Sequence, residues 1–158
     1  MNLRVCLHVC IAFLLATFAA AAAAQLNVSY PQAIKHLYEF QMKDSVLADG
    51  TKRYIGMSPD NGAVLELVGP HENLRKASLI IAVPNDAPRV VAQNSGRLLR
   101  FVANTMPGWN GSAAWVNRGL KQIVDGNYAD QSTVIGSRRV TMSSMKDGAL
   151  IFVSVEPA

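Results

Sequence analysis

The sequence predicts an α+β fold: a single antiparallel sheet of about six strands with an antiparallel pair of helices on one face. Three observations carry this reading. Between residues 38 and 83, short apolar or alternating runs are separated by turn-forming residues, the mark of consecutive strands. Two amphipathic stretches follow, 88–106 and 112–124, and their link is short enough to fold them into a helical hairpin. Strand-like composition then returns from 133 to 155. The chain order is therefore four strands, two helices, two strands, and this segregation argues against the alternating pattern of a parallel α/β sheet.

The first 24 residues read as a signal peptide. Arg4 gives a positive start, 5–18 is almost wholly apolar, and 19–24 is a run of alanines suited to cleavage after Ala24. A retained anchor is the competing reading, since 5–24 is uncharged over about 20 residues, a bilayer's thickness. Alanine is only weakly apolar and no basic cluster follows, so cleavage is the expectation. That leaves 25–158 as one domain with no membrane span, destined for the periplasm or the exterior. Cys6 and Cys10 both fall in the leader, so the mature chain has no thiol for a disulfide, a thiolate metal site or a nucleophile.

Within the domain, Ser29 and Pro31 predict a short capped helix carrying Ile34 and Leu37. Tyr38, Phe40 and Met42 alternate with polar residues, as in a strand with one face covered. A turn at 48–50 leads to a strand over 51–57, and Ser58-Pro59-Asp60-Asn61-Gly62 is a strong reversal. The third strand, 63–68, puts Leu65 and Leu67 on one face and Glu66 on the other. The fourth, 76–83, is nearly all apolar, which predicts a central place in the sheet.

The first long helix begins after a proposed Asp86 cap with Pro88 in its first turn. Val91, Ser95, Leu98, Val102 and Thr105 form its apolar stripe, with Arg97, Arg100 and Asn104 opposite. The link 107–111 is too rich in Pro and Gly to be helical. Asn110 or Ser112 then caps a second helix with Trp115, Val116, Leu120, Ile123 and Val124 on one face, and Gly126-Asn127 ends it in a left-handed cap. Residues 133–145 read as one long strand with a bulge at Gly136. Lys146-Asp147-Gly148 is a hairpin turn, and 149–155 is the last strand.

Charge and motifs exclude more than they assign. A net charge of +4 is mildly basic, which suits an anionic partner but falls short of the dense basic stripe of a nucleic-acid binder. The two histidines beyond the leader, His36 and His71, are far apart and lack ligand spacing, so no metal site is expected. There is no G-x-S-x-G, no phosphate-cradling glycine loop and no cofactor motif. His36, His71 and Glu66, an acid set among apolar strand residues, are the only candidates for catalytic work.

Four basic residues, Arg97 and Arg100 on the first long helix and Arg118 and Lys121 on the second, would form one surface if the helices pair. Trp109 in the link is a candidate binding anchor. The expectation is an exported, non-catalytic binding or accessory protein of the cell envelope. Its partner would be an anionic envelope component or another protein, met at Trp109 and the basic helix surface. The alternative is a small ligand-binding or hydrolytic domain with a cavity between helices and sheet, using His36 or His71 with Glu66. A third reading is an assembly component whose strand edges are paired.

Overall fold

A computed structural model of the chain describes residues 24–84, 88–145 and 148–158. Most of the expected signal peptide, the Asp86 cap and the Lys146-Asp147 part of the last turn lie outside the described residues. Among the described residues, no helix is long and apolar enough to cross a membrane.

The elements in order are α1 (Tyr30–Ala33), β1 (Gln41–Val46), β2 (Lys52–Met57), β3 (Ala63–Val68), β4 (Lys76–Ala82), α2 (Pro88–Thr105), α3 (Ser112–Val124), β5 (Gln131–Ile135), β6 (Arg138–Ser144) and β7 (Leu150–Pro157). One antiparallel sheet holds all the strands in the order β1-β2-β3-β4-β7-β6-β5. The first four form a meander, the last three form another, and β4 joins β7 in the middle with Ile80 opposite Phe152. The predicted central place of the fourth strand is where β4 lies.

The α+β class and the single antiparallel sheet agree with the sequence, but the sheet has seven strands where about six were expected. The difference lies at Gly136: 133–145 is a hairpin, β5 and β6, and not one bulged strand. Gly136 has φ +61, the left-handed region glycine enters without a Cβ clash, so the chain reverses there. The first strand is also displaced. It starts at Gln41, leaving Tyr38 outside it and 69% exposed while Phe40 is buried.

Burial alternates along the inner strands, and it places the core on one side of the sheet. Leu65 and Leu67 of β3, Leu79 and Ile81 of β4, Val140 and Met142 of β6, and Ile151, Val153 and Val155 of β7 are all buried. Leu98, Phe101 and Val102 of α2 and Trp115, Val116 and Ile123 of α3 complete the same cluster. α2 lies over β4 and touches α3. α3 in turn comes so close to β6 that a Cβ at Gly119 would stand 2.6 Å from Met142 Sδ.

The helix faces differ from the predicted ones. α2 buries Asn94, Arg97, Leu98, Phe101, Val102 and Thr105, so its inner arc is rotated toward residues that the stripe assigned to solvent. Asn104 is not free either; its Nδ2 donates to the carbonyls of Ala33 and Lys35 and ties α2 to the segment after α1. In α3, Val124 is 81% exposed rather than part of the apolar face. Gly111 precedes the helix with no side-chain cap, in place of the expected Asn110 or Ser112. The other end is as expected: Gly126 has φ +81, and the Gly126 and Asn127 amides donate to the carbonyls of Ile123 and Gln122.

Candidate functional site

The predicted site residues scatter. Arg100, Arg118 and Lys121 are exposed, Lys121 donating to Asp125 one turn on at 2.6 Å. Arg97 is corrected from the basic surface to the interior, at 6% exposure. Trp109 is half-buried and folds back onto Trp115, with ring centroids 5.7 Å apart. His36 is exposed at a left-handed position, φ +59, beyond α1. His71 stands in the β3–β4 loop, stacked on Tyr30 at 4.9 Å. Glu66 accepts from Arg53 Nε at 2.6 Å. His36, edge-on to Tyr38 with ring centroids 6.4 Å apart, His71 and Glu66 thus each lie against a different neighbour and build no common centre. The space between helices and sheet, where a cavity was the alternative, is filled by Phe101, Leu98, Leu65 and Leu79, none of them measurably exposed.

Why Arg97 points inward is clear from its acceptors. The β2–β3 turn presents the Asp60 carboxylate, and Arg97 Nη1 donates to both of its oxygens, at 3.0 and 2.9 Å. The same nitrogen donates to Asn94 Oδ1 at 2.7 Å, and Nε reaches Glu39 at 3.4 Å. Asn94 Nδ2 then donates to the carbonyls of Gly62 and Ala82. Asp60 also accepts from Ser58 Oγ at 2.6 Å and from the Gly62 amide. The Ser58 hydroxyl, followed by Arg97 and the Gly62 amide, holds the Asp60 carboxyl down to about 2, against the opposing effect of burial. This is a clamp that fixes α2 to the β2–β3 turn and the end of β4. All its charges are matched.

Two surface features stand apart from that clamp. The first is the sheet face turned away from the helices. Met57, Val64, Ile80 and Phe152 are cross-strand neighbours in one row over four strands, and Ile55 and Leu150 flank them. None of these six belongs to the core cluster or packs against it. Beside the row, a cleft of about 440 Å³ is lined by Gln41, Lys43, Ile55, Met57, Pro59 and Val64. On this face Arg53 is paired with Glu66 and Arg139 with Glu156, whereas Lys43 and Lys76 have no carboxylate partner among the described residues.

The second feature lies at the opposite end of the sheet, where the β1–β2 and β3–β4 turns meet. A cleft of about 350 Å³ is lined there by Asp49, Thr51, Lys52, His71, Glu72 and Arg75. Its wall is fixed by backbone bonds from the N-terminal segment, the Tyr30 amide to the His71 carbonyl and the Leu74 amide to the Val28 carbonyl, both 2.8 Å. Gly69, at φ +125 with a virtual Cβ 2.6 Å from the Arg75 amide, allows the tight return into β4. Asp49 is held below the usual carboxylate range, first by the Thr51 amide and hydroxyl and less by the Arg75 charge. Burial, with a smaller push from Tyr54, raises the Tyr30 phenol beneath His71.

Neither cleft was legible in the sequence. Arg75 and Lys52 carry no motif, and they meet only because a meander returns every second turn to the same end of the sheet. Asp60 had a signal, since an Asp two residues before a Gly in a tight turn commonly takes that amide. Among the described residues, no group of three or more acidic, His or Cys side chains is arranged to hold a metal ion. No family model matches the chain, and comparison with curated proteins and with solved structures found no match.

Proposed function

We propose that this is an exported, non-catalytic binding or accessory protein of the cell envelope, and that it holds a protein partner across the bare face of its sheet. The supporting observation is the in-register row Met57, Val64, Ile80 and Phe152, which lies outside the core and has no helix over it. Contiguous apolar area of this kind marks interaction surfaces in proteins that otherwise cover it. With Lys43 and Lys76 the unmatched charges at its border, the segment that fits is apolar along its centre and acidic at its margins. The basic residues Arg100, Arg118 and Lys121 remain for an anionic envelope component, without Arg97 and with Trp109 half-buried.

Cross-linking in envelope extract, followed by peptide mapping, tests this. Cross-links are expected at Lys43 and Lys76, and Phe152→Asp should abolish them while the protein, though less stable, still unfolds in one cooperative transition. Cross-links confined to Lys121 that survive Phe152→Asp would return the binding surface to the helices.

A further inference from the structure

Among the described arginines that are not fully exposed, Arg75 is the one with a buried guanidinium nitrogen left without an acceptor. Arg97 has Asp60 and Glu39, Arg53 has Glu66, and Arg138 donates to the Leu26 and Asn27 carbonyls. Arg75 is half-buried too, yet among the described residues no carboxylate lies within ion-pair distance of it. Its Nη1 donates to Thr51 Oγ1 at 3.1 Å, and its Nε is buried with no acceptor. A guanidinium removed from water is normally matched by an anion, because desolvation of the charge is otherwise uncompensated. Here the nearby Asp49 carboxylate feels the Arg75 charge but is bonded to Thr51 and forms no ion pair with it, and Arg75 lines a cleft.

The rest of the lining narrows what the missing group belongs to. Lys52, exposed on the same wall, has no partner among the described residues, and Thr51 supplies a hydroxyl. His71 offers an exposed ring, stacked on Tyr30 from behind, as a flat surface. The two carboxylates are placed unequally. Asp49 is turned onto the Thr51 amide at 2.9 Å, and Glu72 stands exposed at the rim. A bare anion would use only the cations, whereas an anion carried on a hydroxylated ring would also give donors to the carboxylates and a face to His71.

We infer that the cleft between the β1–β2 and β3–β4 turns binds an acidic saccharide unit, its carboxylate or phosphate on Arg75 and Lys52 and its ring against His71. The site lies at the far end of the sheet from the β2–β3 turn and the apolar cleft, so it stands or falls independently of what docks on the bare face. Arg75 supplies the strongest donor because a bond from its Nη groups to an oxyanion is charge-assisted, while its Nε stays buried behind them. Lys52 adds a point charge.

Titration of the isotopically labelled protein, followed by amide and His71 ring NMR signals, is the test. Glucuronate and glucose 6-phosphate distinguish the carboxylate from the phosphate source, with glucose and inorganic phosphate as controls. Saturable shifts at Thr51, Lys52 and His71 are expected with at least one acidic sugar, weakened about tenfold or more by Arg75→Gln, the factor for one charge-assisted hydrogen bond. Arg118→Gln should leave them unchanged. If Arg75→Gln does not fold, the exposed Lys52→Gln serves instead and should weaken binding while preserving the spectrum. The inference is overturned if neither acidic sugar saturates, if glucose or inorganic phosphate binds as well, or if the Arg75 and Lys52 variants bind as the parent does.

Discussion

At the scale of single residues, Asp60 is the position where the fold's electrostatics can be read out. Its carboxyl is lowered from 3.8 to about 2, chiefly by the Ser58 hydroxyl, so the folded state holds the charged form more firmly than the unfolded chain does. In the interval between those values the unfolded state binds more protons, and stability therefore rises with pH. The contribution is complete above 3.8 and is lost as pH falls through about 2. Denaturant midpoints measured across this interval should fall with acid in the parent protein, and Asp60→Asn should flatten that part of the slope. An unchanged slope would mean that the Ser58–Asp60–Arg97 contacts are not held in solution. The turn itself was visible in the sequence as Ser58-Pro59-Asp60-Asn61-Gly62. Its partner was not, because Arg97 lies 37 residues further on and nothing local marks the pairing.

At the scale of elements, legibility followed how far a signal depends on its own residues. β3, with buried Leu65 and Leu67 alternating with Glu66, and α3's end at Gly126 were set by local pattern and were found where expected. β5 and β6 were merged because 133–145 has one glycine and no proline, and only the left-handed turn at Gly136 divides them. α2 was recognised as a helix but misoriented. Arg97 and Leu98 are adjacent, so they stand about 100° apart on a 3.6-residue helix, and a wide buried arc includes both. What turned the arc is the set of acceptors on the β2–β3 turn, which hydrophobic periodicity does not register. The facing has a direct test in urea unfolding. Arg97→Ala should cost about 2 kcal/mol: a broken buried pair costs more, but Asp60 and Glu39 can each turn partly to water. Arg100→Ala, at an exposed position, should stay within roughly 0.5 kcal/mol. Equal losses would mean that the helix is rotated back to the stripe read from the sequence.

At the scale of the whole molecule, the sheet has one covered face and one open one, as a helix pair on one face predicts; what the sequence hid is that the open face, on which the proposed function rests, is apolar in its middle. β4 and β7 are apolar at nearly every position, as strands covered on both sides are. In the fold they sit at the centre of the sheet with helices on one side only, so alternate residues of an apolar run are left partly open to water. Leu79 is fully buried and its neighbour Ile80 is half-buried on the far face, opposite Val64 and Phe152. Side chains alternate across a strand, so these two adjacent residues report on the two faces separately. Leu79→Ala should cost about 2 to 5 kcal/mol, the range for a truncated core leucine. Ile80→Thr keeps a β-branched side chain and should cost about 1 kcal/mol, since only part of its apolar area is removed from water. Reversible denaturant unfolding measures both. If Ile80→Thr proved as damaging as Leu79→Ala in the isolated protein, the far face would have to be covered by the chain itself, and the proposed partner would have nowhere to bind. If instead Ile80→Thr is mild alone yet reduces partner cross-linking at Lys43 and Lys76, the apolar residues of that face serve association and not folding.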